Sequence, residues 1–218
     1  MKTIITKIIA GSPTRKTRFH DDKGNLVPFY NFLAPLKIVP RRLLIGLGIY
    51  PELPLWPIPI INHFNQTIKH DWKILEFGSG FSTIWLANRC GYITSIEENS
   101  EWYIRIKEVV KQRKLNNVDI QLRNWSIFPS VDEIPEMSLD LVVVDSLARD
   151  QFVVNSLSKI KIGGYIYLDD ADKSAEVYRR AEKTLWDLVN AGRGEIKCFT
   201  GFQAHNLWAQ GILFQLNN

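Results

Sequence analysis

The sequence predicts an α/β fold in which an open, mainly parallel sheet carries helices on both faces, behind an N-terminal extension. Three observations predict it. Short apolar runs without helical spacing recur at 74–77, 92–97, 118–122, 139–145 and 163–170, as strands buried on both faces do. Segments of helical period separate most of these runs. Gly78 and Gly80 follow the first run at once, and the others end repeatedly on a carboxylate.

Taken in order, residues 1–22 hold no long periodic element. Residues 26–61 are apolar and carry Pro28, Pro35, Pro40, Pro51, Pro54, Pro57 and Pro59. Within 43–61, Glu52 and four prolines argue against a membrane-spanning helix. This part is expected to pack on the main domain and cover one side of its site. The expected division is an extension over 1–57 and one α/β domain over 58–218.

Residues 58–68 suit a helix leading into the first strand, with Asp71 at the turn. Ile74, Leu75 and Phe77 form that strand, and Ser82 or Thr83 is the expected cap of the helix through Trp85, Leu86 and Ala87. Gly91 ends this helix before the second strand, 92–97. Ser100 is the expected cap of a third helix, whose apolar face holds Tyr103, Ile106, Val109 and Val110 and which stops by Asn116-Asn117. Residues 118–122 and 139–145 follow as strands, then a helix over 152–160 and a strand over 163–170. A helix over 173–190 and a closing antiparallel pair, 195–200 with 207–216, complete seven strands.

Composition bounds the function. At 218 residues with 45% hydrophobic and 23% charged content, the chain suits one soluble domain plus an extension. Cys90 and Cys198 have neither zinc spacing nor a disulfide framework, so a reducing, cytoplasmic setting is expected, and no secretory leader pattern is visible. Residues 1–42 hold nine Lys or Arg against two acids, a balance of +7 that leaves −3 for the remaining 176 residues. A solvated basic extension explains this; nucleic acid or an anionic membrane surface is the alternative partner. Arg15, Lys16 and Arg18 lack the interleaved aromatics of a stacking surface. His20, His63, His70 and His205 share no metal-ligand spacing, and only His205, before the last strand, lies near enough to the expected site to act as a base.

The turn after the first strand brings backbone N–H groups and a helix start to one place, which suits a ligand. A dinucleotide fingerprint would need glycine at position 83, where Thr83 stands, and Glu76 is ill-suited to a phosphate rim. A cation suits it better. Glu97 falls 19 residues beyond Gly78, near the spacing at which a carboxylate takes ribose hydroxyls. Glu76, Glu97, Asp145, Asp169 and Asp170 are all expected at strand ends, forming an acidic mouth.

The run Glu76-x-Gly78-x-Gly80-x-Ser82 resembles motif I of the class I S-adenosylmethionine-dependent methyltransferases. The order of elements over about 58–217 resembles the Rossmann-like, seven-stranded sheet of that family, with its last strand antiparallel. The resemblance implies S-adenosylmethionine as cofactor, held by Glu76, Phe77, Gly78, Ser79, Gly80, Ser82, Glu97, Glu98, Asn124, Trp125 and Asp145. It places Asp145 nearest the transferred methyl, with Asp169 and Asp170 as further catalytic candidates. It implies an O- or N-methyltransferase acting on a small molecule; an RNA-directed enzyme and a binding module without turnover are the alternatives. Catechol-type relatives hold magnesium at the positions of Asp145, Asp169 and Asp170. Here the pair is Asp-Asp, and Ala148 followed by Arg149 stands where those relatives have lysine, so no metal is expected.

Overall fold

The computed structural model describes residues 17, 19–26, 53–124, 130–203 and 207–217. Within them the chain runs α1 (Ile58–Thr67), β1 (Lys73–Phe77), α2 (Phe81–Ala87), β2 (Tyr92–Glu97), α3 (Ser100–Gln112), β3 (Val118–Leu122), β4 (Leu139–Val144), α4 (Arg149–Ser156), β5 (Ile160–Leu168), α5 (Glu176–Asn190), β6 (Gly194–Phe202) and β7 (Trp208–Leu216). The strands form one seven-stranded sheet in the order β3-β2-β1-β4-β5-β7-β6. The first five run parallel, and β7 lies antiparallel between β5 and β6. This is the expected architecture.

Strand alternation divides the core. On one face Leu75, Phe77, Val142, Val144, Ile166 and Leu168 pack with Phe152 of α4 and Leu185 of α5. On the other, Ile74, Ile93, Leu141, Val143 and Tyr167 meet Trp56, Ile60, Phe64, Trp85 and Leu86. Both faces are thus dry, which is why the central strands read as unbroken apolar runs. The segment ahead of α1 belongs to this core, since Trp56 is fully buried and its ring meets Phe64, Trp85 and Tyr167 edge-on. Earlier in the chain, Phe19 lies edge-on to Phe202 and Lys23 pairs with Glu182.

Several boundaries differ from the sequence reading. Helix α4 starts at Arg149, and residues 157–159 form a single 3-10 turn that feeds directly into β5. The early start was hidden because Arg149 is charged yet buried. Strand β5 begins at Ile160 and carries a bulge opposite β4, between the pairings of Leu139 and Leu141. Helix α5 begins at Glu176, because Asp170 adopts a left-handed φ of 57° and closes a turn with the Lys173 N–H. Asn99, not Ser100, caps α3: its side chain accepts the Trp102 N–H.

Candidate active site

The sheet order reverses between β1 and β4, and a crevice opens beyond the carboxyl ends of adjacent strands at such a point. Phe77 closes β1, and Gly78 turns away with φ 96°. The turn is stitched to both neighbours: Gly78 N–H donates to the Ile96 carbonyl at 2.9 Å, and Asp145 N–H donates to the Phe77 carbonyl at 3.0 Å. A Cβ at Gly78 would run into the Asp145 carbonyl, so the approach needs glycine. Helix α2 then starts at Phe81 with Gly80 as its N-cap. Ser82 and Thr83 are not caps but first-turn residues, and Thr83 Oγ1 accepts the Gly80 N–H at 2.9 Å.

Glu76 does not reach the rim. Alternation along β1 sends its side chain beneath the N-terminus of α2, where it is fully buried. There it accepts hydroxyls from Ser82, Thr83 and Ser95 at 2.5, 2.5 and 2.6 Å. Burial pushes its carboxyl up from 4.5 to about 7, against the pull of the three hydroxyls. It is a post under the glycine turn rather than part of an acidic mouth. The Phe77 side chain also misses the cavity, stacking on Phe152 at a centroid distance of 4.0 Å.

The cavity above the turn has a volume of about 510 Å³. Gly78, Ser79, Gly80 and Ser82 form its floor, Glu97, Glu98 and Trp102 one wall, and Asp145, Ser146 and Arg149 the other. Leu53, Leu55, Leu147 and Tyr178 make an apolar lip. Glu97 is only 4% exposed, and its Oε2 accepts Ser79 N–H at 2.8 Å while Oε1 accepts Glu98 and Asn99 N–H at 3.1 and 2.8 Å. A carboxylate has about four acceptor positions, so these three bonds leave one, on Oε2. Burial raises the Glu97 carboxyl, with the Asn99 N–H opposing. Glu98 turns to the Ser146 hydroxyl at 3.3 Å. Trp102 spans the wall, its indole N–H donating to the Ser79 carbonyl.

Asp145 stands at the head of β4. Its Oδ2 accepts the Trp56 indole N–H at 3.1 Å, and its Oδ1 meets Arg149 Nη2 at 3.0 Å. Burial raises its carboxyl from 3.8 to about 6, with Arg149 pulling the other way. Asp169 lies behind it, 3% exposed, taking the Tyr167 hydroxyl at 2.6 Å. Burial, then the charges of Asp145 and Asp170, hold Asp169 well above the ordinary carboxylate range. Asp170 pairs with Arg149 at 3.3 Å and with Lys173 at 3.2 Å. Neither Asp169 nor Asp170 lines the cavity, so of five expected rim acids only Glu97 and Asp145 do, together with Glu98.

Asn124 is exposed just past β3 and does not line this cavity. Trp125 and His205 lie outside the described residues. The sequence reading missed Trp56, Trp102, Tyr178, Leu53 and Leu55. Only the expectation that the proline-rich segment covers the site pointed towards Leu53, Leu55 and Trp56.

The oxygens of Asp145, Asp169 and Asp170 lie within 4.8 Å of one another, the spacing of a divalent-metal site. The donor set is nevertheless a poor fit for a metal. A buried guanidinium already bonds two of the three carboxylates, and a lysine holds the second of these.

No family profile and no curated protein matches this chain. Solved structures do match it in fold. The O-methyltransferase TomG from Streptomyces achromogenes, involved in tomaymycin synthesis and solved with SAM, aligns at 17% identity over 85% of this chain and 90% of its own, with a TM-score of 0.63. A SAM-dependent O-methyltransferase from Thermotoga maritima aligns at 16% identity over 78% of this chain and 66% of its own, with a TM-score of 0.56. An rRNA methylase from Streptococcus thermophilus aligns at 10% identity over 74% of this chain and 97% of its own, with a TM-score of 0.57. The chain shares the Rossmann-like fold of these structures. Among the described residues no helix is long and apolar enough to cross a membrane.

Proposed function

We propose that the chain is an S-adenosylmethionine-dependent methyltransferase that methylates an oxygen or nitrogen of a small molecule. One arrangement carries the reading. Glu97 presents a single unused acceptor position beside the glycine turn, and Asp145 faces it across the cavity. The donor chemistry suits the cofactor: a carboxylate for a ribose hydroxyl, backbone around Gly80 open to close approach, and Trp102 and Phe81 as apolar neighbours.

When bound, S-adenosylmethionine supplies a methyl group activated by a sulfonium. The remaining work falls to this chain. Glu97 and the Gly78–Ser82 turn orient the nucleoside end, and the apolar lip keeps water from the acceptor. Holding the acceptor in line contributes up to about 7–11 kcal/mol. Asp145, raised to about 6, is matched to taking the acceptor's proton near neutral pH. Its two bonds, to Trp56 and Arg149, fix the direction in which the free lone pairs point. Leu53, Leu55, Leu147 and Tyr178 suit a compact apolar acceptor with one hydroxyl or amine.

In this reading residues 1–57 are an extension, of which Leu53 and Leu55 line the cavity, residues 58–218 are the catalytic domain, and the enzyme acts in the cytoplasm. The excess of +7 over residues 1–42 favours RNA as the second acceptor class. Methyl-labelled cofactor offered with phenols, alcohols, amines and bulk RNA separates the two. Label in a small acceptor, lost in Asp145→Asn, supports the first reading. Label only in RNA, weakened steeply by salt, supports the second; label in neither leaves a binding module.

A further inference from the structure

We infer that Arg149 is the built-in cation of the Asp145–Asp169–Asp170 cluster, so that the site works without a divalent metal and accepts one only when Arg149 is removed. The three carboxylates have metal-site spacing, yet a single nitrogen, Nη2 of Arg149, bonds Asp145 Oδ1 at 3.0 Å and Asp170 Oδ2 at 3.3 Å. The guanidinium therefore bridges the two carboxylates as an ion would. Lys173 Nζ lies 3.2 Å from the same Asp170 oxygen. Two cations thus face Asp145 and Asp170, and little charge remains to hold a third.

The guanidinium is also locked in place. It has five N–H donors, and all five have acceptors within the chain. Nε donates to the Asp169 carbonyl at 3.3 Å, Nη1 to the Ser146 carbonyl and the Tyr178 hydroxyl, and Nη2 to the two carboxylates. The Tyr178 ring lies 4.4 Å from the guanidinium carbon. Arg149 is 3% exposed, so displacing it would strand a buried charge and its acceptors, a strongly unfavourable change. Planar fork geometry suits this bridging task as a lysine ammonium does not.

Two consequences separate this site from a metal-dependent one. Arg149 has no donor left for substrate, so it is a positioning residue that aims Asp145. With no open coordination positions, the acceptor has no need of two adjacent oxygens to chelate an ion.

The test is a titration of chelator-stripped protein with Mn2+, following free ion by electron paramagnetic resonance. It reads the ion without turnover, so its result stands apart from that of the acceptor assay. The wild type and Arg149→Lys, which keeps the charge, are expected to show no saturable site at millimolar Mn2+. Arg149→Met is expected to bind at least about 100-fold tighter than the wild type, and adding Asp170→Asn is expected to abolish that gain. A saturable site in the wild type that Asp170→Asn removes overturns the inference. So does a folded Arg149→Met, melting cooperatively, that binds no better than the wild type. If Arg149→Met fails to fold, the wild-type titration decides alone: no site supports the inference, and a site lost in Asp170→Asn overturns it.

Discussion

Glu76 offers a stability prediction that needs no knowledge of substrate. Its carboxyl is fully buried, and its pKa is raised from 4.5 to about 7. The folded protein therefore keeps a proton that the unfolded chain releases between about pH 4.5 and about pH 7. The resulting stabilisation is complete below about pH 4.5 and is lost as pH rises to about 7. A displacement of about 2.5, at ~1.36 kcal/mol for each pKa unit, corresponds to about 3 kcal/mol. Glu76→Gln removes the titration while keeping the shape, one acceptor oxygen and a donor for the Ser82, Thr83 and Ser95 hydroxyls. Urea or thermal unfolding of both proteins from about pH 4 to about pH 8 provides the assay. The stability of the variant relative to wild type should climb by about 3 kcal/mol across that window. For a chain of this size the climb corresponds to about 6–12 °C in relative Tm. Curves that stay parallel would refute the buried, proton-holding role assigned to Glu76.

Other perturbations address the reacting side. With Asp145 at about 6, kcat/KM should fall as pH drops below about 6, and Asp145→Asn should lose about 10²–10⁴-fold in rate. Trp56→Phe deletes the 3.1 Å indole bond to Asp145; since that donor favours the ionised carboxylate, the acid limb of the pH profile should move to higher pH. Because the bond goes to a charged group and the ring is fully buried, the same variant should lose about 1.5–3 kcal/mol of stability in urea unfolding. Gly78→Ala places a side chain at φ 96° and against the Asp145 carbonyl, so calorimetric melting should show a loss of about 1–3 kcal/mol or more.

How much of this was legible in the sequence differs between fold and site. Strands such as Leu139–Val144 announce themselves because both faces are buried, and alternation with helices then sets the sheet. Glu97 was legible through its spacing from the glycine turn. The common fate of Glu76, Asp169 and Asp170 was not, because a strand-end carboxylate reads alike whether it faces a cavity or the core. Hydroxyls from Ser82, Thr83 and Ser95 make the burial of Glu76 tenable, and that of Tyr167 does so for Asp169. Half-buried Asp170 is held by Arg149 and Lys173, and these partners come from separate elements. Trp56 and Tyr178 reach the site only through tertiary packing, so no local pattern marks them.

In the proposed reaction the cavity over the Gly78–Ser82 turn receives a sulfur nucleoside. Isothermal titration of the purified chain with S-adenosylhomocysteine tests this most directly. The predicted result is one site of roughly micromolar Kd, weakened about 10–100-fold in Glu97→Gln by loss of a charge-assisted hydroxyl bond. No binding heat at millimolar ligand, or equal affinity in Glu97→Gln, would contradict it.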